Sequence, residues 1–310
     1  MAKGAAEIGS ATVGLIGLGS MGVGMAGSLR AAGYEVGVYD IRPHAAHAFA
    51  AEGGTAYPTV AALAATSDVL ISVVVNAEQT EAVLFAPDGQ GAADHLREGS
   101  VVVMCSTVDP KWSADLGARL AARSIHYLDA PISGGAVKSA SGELTMMTSG
   151  APEAYAVADP FLEAMSQTVY RLGSRPGLGS VVKIVNQLLA GVHIAAAAEA
   201  MALGLRCGLP ADDVYDVITH SAGNSWMFEN RMAHVRDGDY QARSAVDIFV
   251  KDLGLVLDTA RPEKFPLPLA SAAHQQFLRA SAAGYGHEDD SAVIKTFPGI
   301  TLPAAAKARR

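Results

Sequence analysis

Five short, almost wholly apolar runs constrain this chain more than any other feature: TVGLIGLG (12–19), YEVGVYD (34–40), SDVLISVVV (67–75), GSVVVMCS (99–106) and SIHYLDAP (124–131). Each is too short for a buried helix and reads as a strand. Between them lie Ala-rich amphipathic stretches near 21–32, 43–53, 59–66, 78–85 and 112–123 that read as helices. A strand covered on both faces has no polar side with which to alternate. The pattern therefore predicts a parallel sheet flanked by helices on both faces. LTMMTSG and TVYRLGS offer two further strands before the pattern stops at residue 173.

Beyond GSRPGLGS the character changes. Residues 178–205 form one continuous apolar helical pattern, more than a solvent-facing helix tolerates. Helices near 210–221, 224–236, 245–262 and 266–284 follow without strand signals. The expected fold is α/β: an N-terminal α/β domain over residues 1–173, then an all-α domain over 174–310. The stretch 184–205 is also the most membrane-like, but Asn186, Gln187, His193 and Glu199 within it are costly against lipid. It is expected to be a buried helix. The N-terminal MAKGAAEIGSATVG lacks the apolar segment of a secretory signal, and the tail PAAAKARR reads as frayed.

Charge and cysteine content exclude several function classes. The net charge is −8, with 23 Lys and Arg against 31 Asp and Glu, and no basic cluster precedes the last few residues. Nucleic acid therefore has no electrostatic footprint to bind. Cys105 and Cys207 are too few for a disulfide framework or a zinc site and fit a reducing compartment. A cytoplasmic protein with no membrane or nucleic-acid partner is expected.

VGLIGLGSMGVGMAGSL sets Gly17-x-Gly19-x-x-Gly22 between the first strand and the first helix. The first glycine permits a tight turn, the second lets backbone approach a pyrophosphate, and the third lets helix and strand pack closely. The free N–H groups of the helix then face the phosphates. Gly17, Leu18, Gly19, Ser20, Met21 and Gly22 are thus the candidate dinucleotide loop. The second strand ends in Asp40, 18 residues past Gly22. A carboxylate there accepts from ribose hydroxyls and repels a 2′-phosphate, which favours NAD over NADP. Arg42 is the residue that would instead hold that phosphate, and the plainer role for Asp40 is a cap on the next helix.

GLGSVVKIVNQLLAG places Lys183, Asn186 and Gln187 on one side of a helix. A lysine in so apolar a helix has two uses. It snorkels from the helix edge to solvent, or it sits desolvated, its pKa lowered from about 10.4, as a proton donor and acceptor. DAPISGGAVKSASGELTMMTSG (129–150) poses a parallel choice at Ser133-Gly134-Gly135. The glycines serve turns, or they bring backbone N–H groups close to an anion.

Four motifs in order, GLIGLGSMG, DAPISGG, GxGxxxKxxN (Gly177, Gly179, Lys183, Asn186) and FVKDLGLVLDTA, span roughly residues 12–300. Together they resemble the β-hydroxyacid dehydrogenase family, which includes 3-hydroxyisobutyrate dehydrogenases and tartronate semialdehyde reductases. The resemblance implies a Rossmann domain followed by an all-α domain, with the active site in the cleft between them. It implies that Ser133, Gly134 and Gly135 bind the substrate carboxylate and that Lys183 is the catalytic acid/base. Asn186 and Gln187 then hold or orient substrate, Lys251 lies on the cofactor side, and Thr107 lies in the loop approaching the nicotinamide. The family's Met-Leu cofactor loop is represented here by Val74, Val75 and Asn76. Gln187 stands where some members carry a second Asn; tartronate semialdehyde reductases share the Gln, which departs from the 3-hydroxyisobutyrate pattern.

VNQLLAGVHIAAAAEAMALG and SAGNSWMFENR are similar to the L-threonate dehydrogenase subgroup, bacterial enzymes acting on four-carbon sugar acids. That likeness brings His193, Asn224, Ser225, Trp226 and Phe228 near the substrate, against a plainer reading of His193, Trp226 and Phe228 as core residues. The implied reaction is NAD-dependent oxidation of a small hydroxy acid, L-threonate at C2 to 2-oxo-tetronate. No motif suggests a metal, and a homodimer or homotetramer is implied. The alternatives are a tartronate semialdehyde reductase or a 3-hydroxyisobutyrate dehydrogenase. Imine reductases share the fold but usually lack a lysine at this position. A non-catalytic nucleotide-binding relative is opposed by the pairing of Lys183 with Asn186.

Overall fold

The computed structural model describes residues 11–304. Residues 1–10, in the stretch read for a secretory signal, and 305–310, in the tail read as frayed, lie outside the described residues. The chain divides into two compact units, the first ending at Lys183 and the second beginning at Ile184.

The first unit opens with β1 (Val13–Ile16), α1 (Gly22–Ala31), β2 (Val36–Tyr39), α2 (Pro43–Ala51), β3 (Thr55–Ala56) and α3 (Val60–Ala64). It continues with β4 (Val69–Ser72), α4 (Ala77–Leu84), β5 (Val101–Met104), α5 (Pro110–Ala121) and β6 (His126–Asp129). These six strands pair in parallel in the order β3-β2-β1-β4-β5-β6. Their apolar runs have the reason anticipated from sequence. Val13, Leu15, Val69, Ile71, Val101 and Val103 enter one core cluster, and Ile16, Leu70, Val102 and Met104 enter another. Successive strand side chains point to opposite faces, so two cores fed by the same strands mean that both faces are covered. Each fully buried Leu, Ile or Val contributes about 1.5–3 kcal/mol relative to exposure.

The five strands read from the sequence are all parallel, as expected; past β6 the sheet ceases to be purely parallel. β7 (Ile132–Ser133), α6 (Gly135–Ala140), β8 (Leu144–Gly150), α7 (Pro152–Met165) and β9 (Ser166–Arg171) complete the unit. β8 runs antiparallel to both β6 and β7, and β9 runs parallel to β8. Two residues join β6 to β7, and the link from β7 to β8 holds only the six-residue α6, too short for a parallel crossover, so the chain reverses locally. α7 has no counterpart in the sequence reading. Pro160 inside it argues against a helix, yet Ala154, Tyr155, Ala158, Phe161, Leu162 and Met165 bury one stripe at helical spacing.

The long apolar run becomes α8 (Leu178–Arg206), a single helix through which the division between the units passes. It is followed by α9 (Ala211–Thr219), α10 (Trp226–Asp237), α11 (Val246–Ala260) and α12 (Pro268–Ala280). Among the described residues α8 alone is long and apolar enough to cross a membrane by length and composition. Its Ala190, Ile194, Ala195, Ala198 and Met201 instead fill the core of the helical unit, against Phe249, Leu253 and Phe277. Gly191 allows this packing, since a Cβ there would lie 2.9 Å from the Leu253 side chain. α10 begins where Ser225 accepts the Phe228 N–H at 3.0 Å and ends at Gly238 in the left-handed conformation.

Candidate active site

Strand β1 lies between β2 and β4, so the sheet order reverses there and opens a crevice beyond the strand ends. The glycine loop fills that point. Gly17 has φ +95°, donates its N–H to Tyr39 O at 2.9 Å, and leaves no room for a side chain, because a Cβ would come within 2.7 Å of Val73 O. A Cβ on Gly22 would fall 1.8 Å from Gly17 O. Gly19 differs: nothing lies within 4 Å of where its Cβ would be. Two glycines crowded by backbone flank one open to an approaching group, which is what a pyrophosphate needs. Ser20 and Met21 lead into α1, and Leu18 is buried. The residues present fit a dinucleotide.

Asp40 is buried, and its carboxylate accepts the Leu18 N–H at 2.7 Å and the Arg42 N–H at 2.8 Å. Arg42 Nε adds a further bond at 3.1 Å. Burial alone pushes this carboxyl up, but the Arg42 side chain, the Arg42 and Leu18 N–H groups and the guanidinium charge hold it below the ordinary carboxylate range. Asp40 thus fixes the glycine loop, while the cap position of α2 belongs to Arg42. Arg42 is itself engaged by Asp40. Asp40→Ala is expected to raise KM for NAD⁺ about tenfold or more and to shift the NAD⁺/NADP⁺ preference toward NADP⁺, by removing the carboxylate that the sequence assigns to the ribose and freeing Arg42. Initial rates with both cofactors check this; an unchanged preference would remove Asp40 from cofactor choice.

Val74 and Val75 follow β4, and Asn76 caps α4, its Oδ1 accepting the Gln79 N–H at 2.8 Å. The Asn76 side chain therefore shapes the loop. Thr107 is half-buried in the loop after β5, where Ser106 Oγ donates to Val74 O at 2.7 Å and joins the two loops.

The segment bearing Ser133, Gly134 and Gly135 is the end of β7 and the start of α6, not one continuous loop. Gly134 at φ +139° and Gly135 at φ +74° make the break between them. Lys183 settles its own alternative: it is 8% exposed, and Nζ donates to Ile132 O at 2.8 Å. It does not snorkel. The structure brings its Nζ to the residue preceding Ser133.

Asp129 makes that meeting possible, and the sequence reading passed over it. Its Oδ2 accepts the Gly177 N–H at 3.0 Å and the Ser180 N–H at 2.8 Å, and its Oδ1 accepts Ser180 Oγ at 2.7 Å. A buried carboxylate thus satisfies the free N–H groups at the start of α8. Burial pushes its pKa up, against the lowering hydrogen bonds from Ser180, Ser113 and Ser149. The motif glycines allow the close approach: a Cβ on Gly179 would sit 2.3 Å from Met147 O, and one on Gly177 2.7 Å from Pro110 O. An aspartate closing the otherwise apolar SIHYLDAP was the available signal.

Within the helical unit, Asn186 Nδ2 donates to Gln187 Oε1 at 2.9 Å, and Gln187 Nε2 donates to Asp252 Oδ2 at 2.5 Å. Lys251 Nζ donates to Asp252 Oδ1. Asn186, Gln187 and Lys251 are therefore joined through Asp252, another residue the sequence reading did not single out. The signal was an aspartate in the apolar FVKDLGLVL. His193 is exposed, contrary to its reading as a core residue; Trp226 is 57% exposed, whereas Phe228 is buried in the helical core. Ser225 serves as a helix cap, and Asn224 Nδ2 donates to Thr219 O.

Two family models match almost all of this chain. Residues 12–173 match the NAD-binding domain of 6-phosphogluconate dehydrogenase. Residues 177–297 match the NAD-binding domain of NADP-dependent 3-hydroxyisobutyrate dehydrogenase. The L-threonate dehydrogenase of Cupriavidus necator is 60% identical over 279 residues, 90% of this chain and 93% of that protein. The chain belongs to the 3-hydroxyisobutyrate dehydrogenase-like family of β-hydroxyacid dehydrogenases. The L-threonate dehydrogenase of Escherichia coli K12 is 59% identical over 77% of this chain and 78% of its own length. The crystal structure of a Salmonella typhimurium protein named 3-hydroxyisobutyrate dehydrogenase superposes with a TM-score of 0.88 at 54% identity, covering 93% of this chain and all of that one. The chain is an NAD-binding hydroxyacid dehydrogenase with a Rossmann-type first unit and a helical second one.

Proposed function

We propose that the enzyme oxidises L-threonate at C2 to 2-oxo-tetronate, with Lys183 as acid/base. The observation that carries the chemistry is the burial of Lys183 with Nζ 2.8 Å from Ile132 O, beside Ser133-Gly134-Gly135. In this reading those three residues hold the substrate carboxylate, whose anchoring sets the C2 hydroxyl against the lysine. Neutral Lys183 Nζ takes the hydroxyl proton as the C2–H bond breaks, leaving a carbonyl and an ammonium. Bound NAD⁺ supplies the hydride acceptor. Gly17 to Gly22, Asp40, Val74 to Asn76, Thr107 and Lys251 are assigned to the cofactor, and Asn186 with Gln187 to the substrate.

The substrate itself rests on the names of five relatives at 53–60% identity, each an L-threonate dehydrogenase. One observation favours 3-hydroxyisobutyrate instead: the similar Salmonella protein is named for that acid. Absorbance at 340 nm with NAD⁺ against L-threonate, D-threonate, D-glycerate and 3-hydroxyisobutyrate separates them. NADH formation confined to L-threonate is expected; turnover of another acid in its place would move the substrate and keep the chemistry. We place the enzyme in the cytoplasm as a homodimer or homotetramer, with the domain boundary at residues 173–174, where the first family match ends, ten residues before the division between the two compact units inside α8. Exposed Val185, Leu189 and Leu203 on α8 support an interface between subunits.

A further inference from the structure

An amide is nearly symmetric in shape, so its neighbours decide which end carries the oxygen. Here they decide it twice in succession. Asp252 is 2% exposed and, as a carboxylate, only accepts: Lys251 Nζ donates to its Oδ1. The group 2.5 Å from its Oδ2 must then be Gln187 Nε2, because an amide oxygen there would set two acceptors against each other in a buried place. That orientation turns Gln187 Oε1 away from Asp252 and toward Asn186. The Asn186 atom at 2.9 Å must in turn be Nδ2. Its Oδ1 lies on the other arm of the planar group, directed away from Gln187.

We infer that Asp252 is a positioning residue that fixes the polarity of the Gln187–Asn186 pair, so that Asn186 offers a carbonyl oxygen to substrate and selects hydroxy acids with a second hydroxyl beside the reacting carbon. The inference rests on the proposed assignment of Asn186 to the substrate, one turn along α8 from Lys183. A hydroxyl donates to Oδ1; a methyl or methylene leaves that acceptor without a partner. Sites built to hydrogen-bond a hydroxyl reject analogues lacking it far more strongly than apolar pockets reject an added group. The relay thus supplies a reason for the enzyme to prefer a polyhydroxy acid over the methyl-bearing 3-hydroxyisobutyrate. It also gives Gln187 a role: its longer side chain spans the distance from Asn186 to Asp252.

The test compares kcat/KM for L-threonate with that for 2,4-dihydroxybutyrate of matching C2 configuration, which lacks only the C3 hydroxyl. The wild type is expected to prefer L-threonate about a hundredfold. In Asp252→Asn the near-isosteric side chain no longer dictates which end of Gln187 it faces, and the preference should fall at least tenfold. Gln187→Leu cuts the relay at its next link and should do the same. The ratio is taken within each enzyme, so a general loss of folded protein or cofactor affinity cancels. A ratio within twofold of wild type in both variants would overturn the inference, as would a wild type that does not distinguish the two acids. A wild type that ignores L-threonate but oxidises another acid with a second hydroxyl, such as D-glycerate, sinks the substrate assignment alone, and the polarity is then read on that acid and its deoxy analogue; one that oxidises 3-hydroxyisobutyrate instead overturns the inference as well.

Discussion

Lys183→Ala is expected to lower kcat for hydroxy-acid oxidation by a factor of about 10²–10⁴, the range in which a positioned general base contributes. NADH binding, followed by fluorescence, should stay close to wild type, because the glycine loop and Asp40 are held by their own hydrogen bonds. Lys183→Arg sharpens the test. A guanidinium keeps the charge but does not give up its proton at any working pH. If Lys183 served only as a positive charge, Lys183→Arg would recover much of the rate; as a base, it should remain as impaired as the alanine variant. The pH profile adds a sign. Oxidation needs the neutral amine, so kcat/KM should rise with pH as Nζ loses its proton, and the residual rate of Lys183→Ala should lack that rise. An alanine variant within threefold of wild type would remove Lys183 from the chemistry.

Much of this was legible because the constraints are local. The parallel strands announced themselves through apolar runs that only two-sided burial explains, and Gly17 and Gly22 through turns that tolerate no Cβ. Lys183 was legible as a question, since an apolar helix offers a lysine either an edge or a partner, and only coordinates could supply Ile132 O. What escaped depended on partners distant in sequence. Asp129 and Asp252 each look like single acidic residues in apolar runs. Their roles exist only because Ser180 lies 51 residues from the one and Gln187 65 residues from the other. α7 escaped for the opposite reason: Pro160 is a strong local signal against a helix, overridden by the burial of a whole apolar stripe.

Asp129→Ala is expected to be the most destabilising single change near the site. It strips the acceptor from the Gly177 and Ser180 N–H groups and from Ser180 Oγ, all buried at the start of α8. Each orphaned buried donor costs about 1–3 kcal/mol, so a loss of about 3–5 kcal/mol is expected, or roughly 6–20 °C in the melting temperature of a unit this size. Asp129→Asn should cost far less. Its carbonyl oxygen can take both N–H bonds at the Oδ2 position, and its amide can donate to Ser180 Oγ with that hydroxyl's role reversed. The neutral group also escapes the burial penalty that pushes the Asp129 pKa up. The sign of the pH dependence follows from that shift. A carboxyl whose folded pKa lies above its unfolded value holds its proton more tightly when folded, so its contribution to stability falls as pH rises from about 4 through the folded pKa. That slope should vanish in Asp129→Asn. Thermal melts of both variants from pH 4 to 8 read all of this, and an alanine variant melting with the wild type would show that the start of α8 is held by something else. Activity should follow stability for a geometric reason. Ser180 precedes Lys183 by one turn, and Ile132, whose carbonyl receives Nζ, follows Asp129 by three residues. That carboxylate ties the start of the helix that carries the lysine to the end of β6, three residues before Ile132, and its loss should lower kcat even in the fraction that remains folded.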